Sequence, residues 1–169
     1  SVREFDQATL THEFDRIRTS LMRTTLQDFK NTTYTIEGSA VTLVDGHAEA
    51  AVTPGSAAKT ITQYFGNAAV GDLNSDGLDD VAFILTQSSG GSGTFYYVAV
   101  ALKTANGYLG TNAVLLGDRV APQTTTITNG KIVANYATRN TGEPMSARPS
   151  VGVSMYLKVV GGKLTHVSQ

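Results

Sequence analysis

Apolar residues recur along this chain with two different periods, and the change falls near residue 30. Before it, Leu10, Phe14, Ile17 and Leu21 stand at i, i+4, i+7 and i+11, and Phe29 extends the stripe. That 3.6-residue period predicts an amphipathic α-helix over residues 1–30, with Asn31 as its stop. Glu13 with Arg16 and Asp15 with Arg18 are i,i+3 pairs suited to the solvent side of such a helix.

After residue 30 the pattern is that of strands and turns. Ala40–Val44, Asp45-Gly46 and His47–Val52 read as a hairpin, because Asp-Gly supplies the positive φ angles of a type I′ turn. Lys59–Phe65 alternates weakly, and Val81–Thr86 and Phe95–Leu102 are rich in β-branched, aromatic and small apolar residues. Asn106-Gly107 and Asn129-Gly130 are further turn signals. Val153–Val160, Gly161-Gly162 and Lys163–Val167 read as a closing hairpin, and Gln87–Gly93 and Arg139–Ser150 as loops. The expected fold is mainly β, an antiparallel sandwich or open barrel-like body over residues 31–169, preceded by one helix.

Composition narrows the partners. A chain of 169 residues buries roughly 70% of its unfolded surface, so it can hold a core without staples. The formal charge is −1 with no basic run, which argues against a nucleic-acid partner. The absence of cysteine excludes disulfides, thiolate metal sites and cysteine nucleophiles. No stretch reaches the ~18 apolar residues that a membrane span needs.

One segment carries specific chemistry. From Asp72 the chain reads D-x-N-x-D-G-x-x-D, ending at Asp80. Calcium, a hard cation, takes six to eight oxygen ligands, and side chains at loop positions 1, 3, 5 and 9 turn inward. Those positions are Asp72, Asn74, Asp76 and Asp80, with the Leu78 carbonyl at position 7. Gly77 falls where the loop turns sharply and a Cβ is expected to obstruct. An EF-hand requires a glutamate at position 12, which here is Phe83 inside an apolar run. The ion loop is therefore expected between strands, not between helices.

Gly71–Asp80 followed by Val81–Leu85 resembles the FG-GAP repeat of integrin-type propellers, where a strand enters such a loop and a second strand leaves it. The chain holds one copy, so the resemblance implies a calcium site and not a propeller. Residues from about 31 to 160 resemble a family of short exported bacterial proteins. Tyr64-Phe65-Gly66, Gly71–Asp80, Gly93–Tyr97, Leu116–Thr124 and Pro149–Gly152 carry that likeness. It implies export to the cell envelope or beyond, and one calcium loop.

No other constellation announces catalysis. His12, His47 and His166 share no metal-ligand spacing, no G-x-S-x-G elbow is present, and Gly90–Gly93 lacks the lysine of a phosphate loop. Asp118-Arg119 is expected to form a structural ion pair, with a ligand contact as the alternative, and the adjacent Tyr96 and Tyr97 to face opposite sides of a strand. The expectation is an extracytoplasmic, calcium-stabilised structural or binding protein. The alternatives are a filament subunit that self-associates through its N-terminal helix, as pilins do, and a secreted hydrolase with structural calcium.

Overall fold

The computed structural model describes residues 28–169. The helix expected over residues 1–30, its self-association and His12 lie outside the described residues, apart from the end of the stripe. There, Asp28–Asn31 forms a single 3-10 turn.

Twelve strands follow, all paired antiparallel. They are β1 (Thr33–Ile36), β2 (Ser39–Thr42), β3 (His47–Ala51), β4 (Lys59–Gly71), β5 (Asp80–Ser88) and β6 (Phe95–Thr104). The second half holds β7 (Gly107–Gly110), β8 (Val114–Asp118), β9 (Ala121–Thr128), β10 (Lys131–Thr138), β11 (Val151–Val160) and β12 (Lys163–Val167). A six-stranded sheet runs β3-β4-β5-β6-β7, with β8 also paired to β6. A four-stranded sheet, β12-β11-β10-β9, covers one of its faces, and the β1–β2 hairpin covers the other.

This layering explains the apolar runs. Along β5 and β6, side chains alternate between two cores. Ala82, Ile84, Val98, Val100 and Leu102 meet Ile132, Ala134, Tyr136, Leu157 and Leu164 of the four-stranded sheet. Val81, Phe83, Leu85, Tyr97, Ala99 and Ala101 meet Tyr34, Ile36 and Leu43 of the hairpin layer. A strand buried on both faces needs apolar residues at every position, so no alternation survives in its sequence. Tyr96 and Tyr97 do face opposite sides, Tyr97 buried and Tyr96 half-buried.

The expected hairpin at Ala40–Val52 is corrected in its pairing. Asp45 and Gly46 adopt positive φ (51° and 77°), as the Asp-Gly signal predicts. That turn closes only one bridge, Val44 to His47. Beyond it β2 pairs with β1, and β3 joins β4 in the other layer. The turn is a crossing between layers, because Leu43 buries with Tyr34 and Ile36 over Phe83. The closing hairpin β11–β12 forms as expected, with Gly161 and Gly162 at positive φ.

Residues Thr111–Ala113 tie the three layers together. Thr35 N donates to Thr111 O (3.2 Å) and Ala113 N donates to Thr35 O (2.8 Å). The Asn112 side chain then pairs both ways with Leu164 of β12, donating to its carbonyl (3.0 Å) and accepting from its amide (2.9 Å). Just before this, Gly110 admits the hairpin, since a Cβ there would overlap the Thr33 carbonyl oxygen.

Tyr97 donates a hydrogen bond to Glu37 Oε1 (3.2 Å) in the turn of the hairpin layer. Burial, helped by the Glu37 carboxylate, pushes its pKa up to about 12. A phenol raised in this way contributes stability that is complete below its ordinary value of about 10 and is lost as pH rises through the folded value. Thermal melts from pH 9 to pH 12 should show a steeper fall for the natural protein than for Tyr97→Phe. Equal slopes would refute this linkage.

Candidate metal centre

The loop between β4 and β5 closes a pair of neighbouring antiparallel strands, with Gly71 opposite Asp80. It is thus a strand–loop–strand unit, and Phe83 at position 12 is fully buried in the core. Leu73 turns inward and joins the core against the four-stranded sheet, pinning the loop at its second residue.

Asp72, Asp76 and Asp80 converge. One carboxylate oxygen from each lies within 4.8 Å of the other two. Asp72 also organises the loop backbone. Its Oδ2 accepts from Gly77 N (2.9 Å) and its Oδ1 from Asn74 N and Asp76 N (3.3 Å each). These amides, Gly77 foremost, hold the Asp72 carboxyl below its ordinary range. Asp76 Oδ1 accepts from Leu78 N (2.9 Å).

Asp80 differs from the others because it is fully buried. Its Oδ2 accepts from Leu73 N and its Oδ1 from Lys103 N, both at 2.8 Å. Desolvation raises its pKa despite these two amides, and the Asp76 and Asp72 charges add to the rise. Among the described residues, no lysine or arginine forms an ion pair with any of the three aspartates.

Asn74 completes the ring. One polar atom of its amide lies 3.2 Å from Asp72 Oδ1 and 2.9 Å from Asp76 Oδ1. With nitrogen turned inward, the amide bridges the two carboxylates. With oxygen turned inward, it adds a fourth oxygen that only a cation can reconcile with its neighbours.

The four predicted side chains are therefore brought together, and Leu78 lies in the same loop with its amide bonded to Asp76. Gly77 needs one correction. Its φ is +82°, and a Cβ there would meet nothing within 4 Å. Glycine serves the backbone angle here, not a shortage of space. The sequence did not point to Lys103, whose backbone N–H holds Asp80 from 23 residues away. A main-chain donor leaves no signature in residue type.

The donors are all hard oxygens, with neither imidazole nor sulfur. Such a set suits calcium or magnesium and not softer transition metals. Three carboxylates with no countercharge among the described residues form a site whose repulsion a divalent ion would relieve.

The other candidates lie apart. Asp118 and Arg119 form the expected pair, Arg119 Nη2 donating to Asp118 Oδ2 at 3.0 Å, half-buried at the turn into β9. His47 bonds Glu49 on β3, and His166 is exposed on β12. Among the described residues no helix is long and apolar enough to cross a membrane. The chain matches no protein-family model, no curated protein and no solved structure.

Proposed function

We propose that this is an extracytoplasmic calcium-binding protein with a structural or binding role, in which one ion fixes the β4–β5 turn. The observation that carries the proposal is the convergence of the Asp72, Asp76 and Asp80 carboxylates, with no basic partner among the described residues. Asp72, Asn74, Asp76, Asp80 and the Leu78 carbonyl would hold the ion. Calcium is favoured over magnesium because a loop of this length wraps a larger, less demanding ion, whereas magnesium keeps most of its waters. The extracytoplasmic assignment rests on the likeness to exported proteins and on the millimolar calcium of such compartments.

The ion's role follows from linkage. Calcium at 100 times its dissociation constant adds about 2.7 kcal/mol, equivalent to about 5–10 °C in melting temperature for a chain of this size. Melting curves of the full chain in 1 mM calcium and in chelator should separate by that amount, with magnesium giving less. Coincident curves would show that the loop carries no stabilising ion.

A further inference from the structure

We infer that two copies of this chain join edge to edge through β3, a surface separate from the N-terminal stripe and from the metal loop. β3 ends the six-stranded sheet, paired with β4 on one side and open on the other. Along an antiparallel pair, residues that bond their opposite number alternate with residues that turn away from it. Tyr64 N donates to Gly46 O (2.7 Å) and Val52 N to Ala58 O (3.0 Å), so Ala48 and Ala50 bond across to β4 as well. His47, Glu49 and Ala51 therefore turn their N–H and C=O groups to the open edge. Those of His47 are taken by Val44. Those of Glu49 and Ala51 have no partner among the described residues. Other edges are met: Thr35 of β1 bonds Thr111 and Ala113, and Leu164 of β12 bonds the Asn112 side chain.

The β3 edge is complementary to itself. A two-fold axis sets two copies of one strand antiparallel. Centred on Ala50, the axis places Glu49 opposite Ala51 of the second copy, and the reverse, so every free group of both residues finds a partner. Centred on Glu49, it would set two like charges directly opposite, which is unfavourable. In the Ala50-centred register, Lys59, opposite Ala51 on β4, lies in line with Glu49 of the second copy. Each glutamate, already 3.5 Å from its own Lys59, gains a second lysine across a small alanine. Charge and hydrogen bonding thus select the same register.

Shape agrees with that register. On the face that carries the hairpin layer, a groove of about 190 Å³ lies between β2 and the sheet, walled by Val41 and Thr42 and floored by Ala48, Ala50, Thr60 and Thr62. Val52, just past β3, is 47% exposed. Opposite residues of an antiparallel pair share a face, and Val52 stands opposite Ala48 of the second copy. The valine of each copy therefore enters the groove of the other. The contact uses the same patch twice and closes on itself, so it gives a dimer and not a fibre.

The chain has no cysteine, so one introduced thiol reports the register. Across the two-fold centre the Cα atoms of Ala50 lie about 4.5 Å apart, within the range of a disulfide. Those of Ala48 lie about 14 Å apart. Mild oxidation of the full chain should crosslink Ala50→Cys and leave Ala48→Cys largely single. The seam is small, so sedimentation velocity of the natural chain should show dimer at about 200 μM and monomer at about 1 μM. Ala51→Pro removes a donor that faces the open edge and spares the β4 ladder, and Val52→Asp sets a charge in the groove. Each should weaken the dimer tenfold or more, with melting of the dilute monomers showing that the fold is kept. Leu109→Ser, 61% exposed on the opposite edge strand β7, should leave the dimer unchanged. The inference is overturned if the natural chain stays monomeric at the higher concentration, if Ala48→Cys crosslinks as well as Ala50→Cys, or if the dimer survives both Ala51→Pro and Val52→Asp.

Discussion

Asp80→Ala should destabilise the protein by about 2–5 kcal/mol whether or not calcium is present. The buried carboxylate accepts the backbone amides of Leu73 and Lys103, and each buried donor left without a partner costs about 1–3 kcal/mol. Without calcium, removing the charge also relieves repulsion from Asp72 and Asp76, so the loss should fall at the lower end of that range. Asp76→Ala makes the contrast. Its side chain is exposed and touches only the loop, so it should abolish the calcium-dependent gain and change little in chelator. Urea denaturation of both variants with calcium and with chelator separates the two roles. If Asp80→Ala were as stable as the natural protein in chelator, the carboxylate would serve the ion alone and not the β4–β5 and β6–β7 junction.

Asp80 shows which parts of the site were legible in the sequence. Ligand spacing within nine residues is a local property, so Asp72, Asn74, Asp76 and Asp80 could be placed together before any fold was known. The grip of Lys103 on Asp80 depends on how β6 lies against β5, and no residue type encodes it. The same division runs through the fold. The runs at Val81–Leu85 and Val98–Leu102 were readable as strands because burial on two faces leaves only apolar residues. Thr124-Thr125-Thr126 in β9 was not, because one face of that strand meets solvent and the other is filled by Thr125 and Ile127.

Pairing was less legible than strand existence. Asp45-Gly46 has the backbone angles its sequence predicts, yet it joins strands of different layers. The turn that closes the hairpin is Glu37-Gly38, also at positive φ (50° and 79°). Glutamate is an uncommon first residue for such a turn, so the stronger signal lay eight residues downstream. Partner choice was settled by burial: Tyr34, Ile36 and Leu43 reach Phe83 only if β2 folds back on β1. Turn chemistry sets local direction, and the buried face sets register and partner.

The hairpin layer leads to the second large effect. Phe83→Ala should cost about 3–5 kcal/mol, the usual range for removing a buried phenylalanine, and a large share of a typical domain's stability. Phe83 is fully buried at the centre of a ring cluster, with Tyr34 at 5.3 Å, Phe29 at 5.4 Å and Tyr64 at 5.6 Å between centroids. Tyr34 also donates its hydroxyl to the Phe29 carbonyl, so the rings sit on a braced backbone and cannot simply collapse into the vacancy. Two of the four ring contacts from Phe29 and Tyr34 to the six-stranded sheet pass through this one side chain, and Phe83→Leu, which keeps apolar volume, should recover more than half of the loss. Urea midpoints measure the cost. Hydrogen exchange locates it, with the amides of Thr33–Thr42 losing protection ahead of those in β10 and β11. A loss below 1 kcal/mol, or equal exchange in both layers, would mean that the hairpin is held by Thr111–Ala113 and Tyr97 and not by the ring cluster.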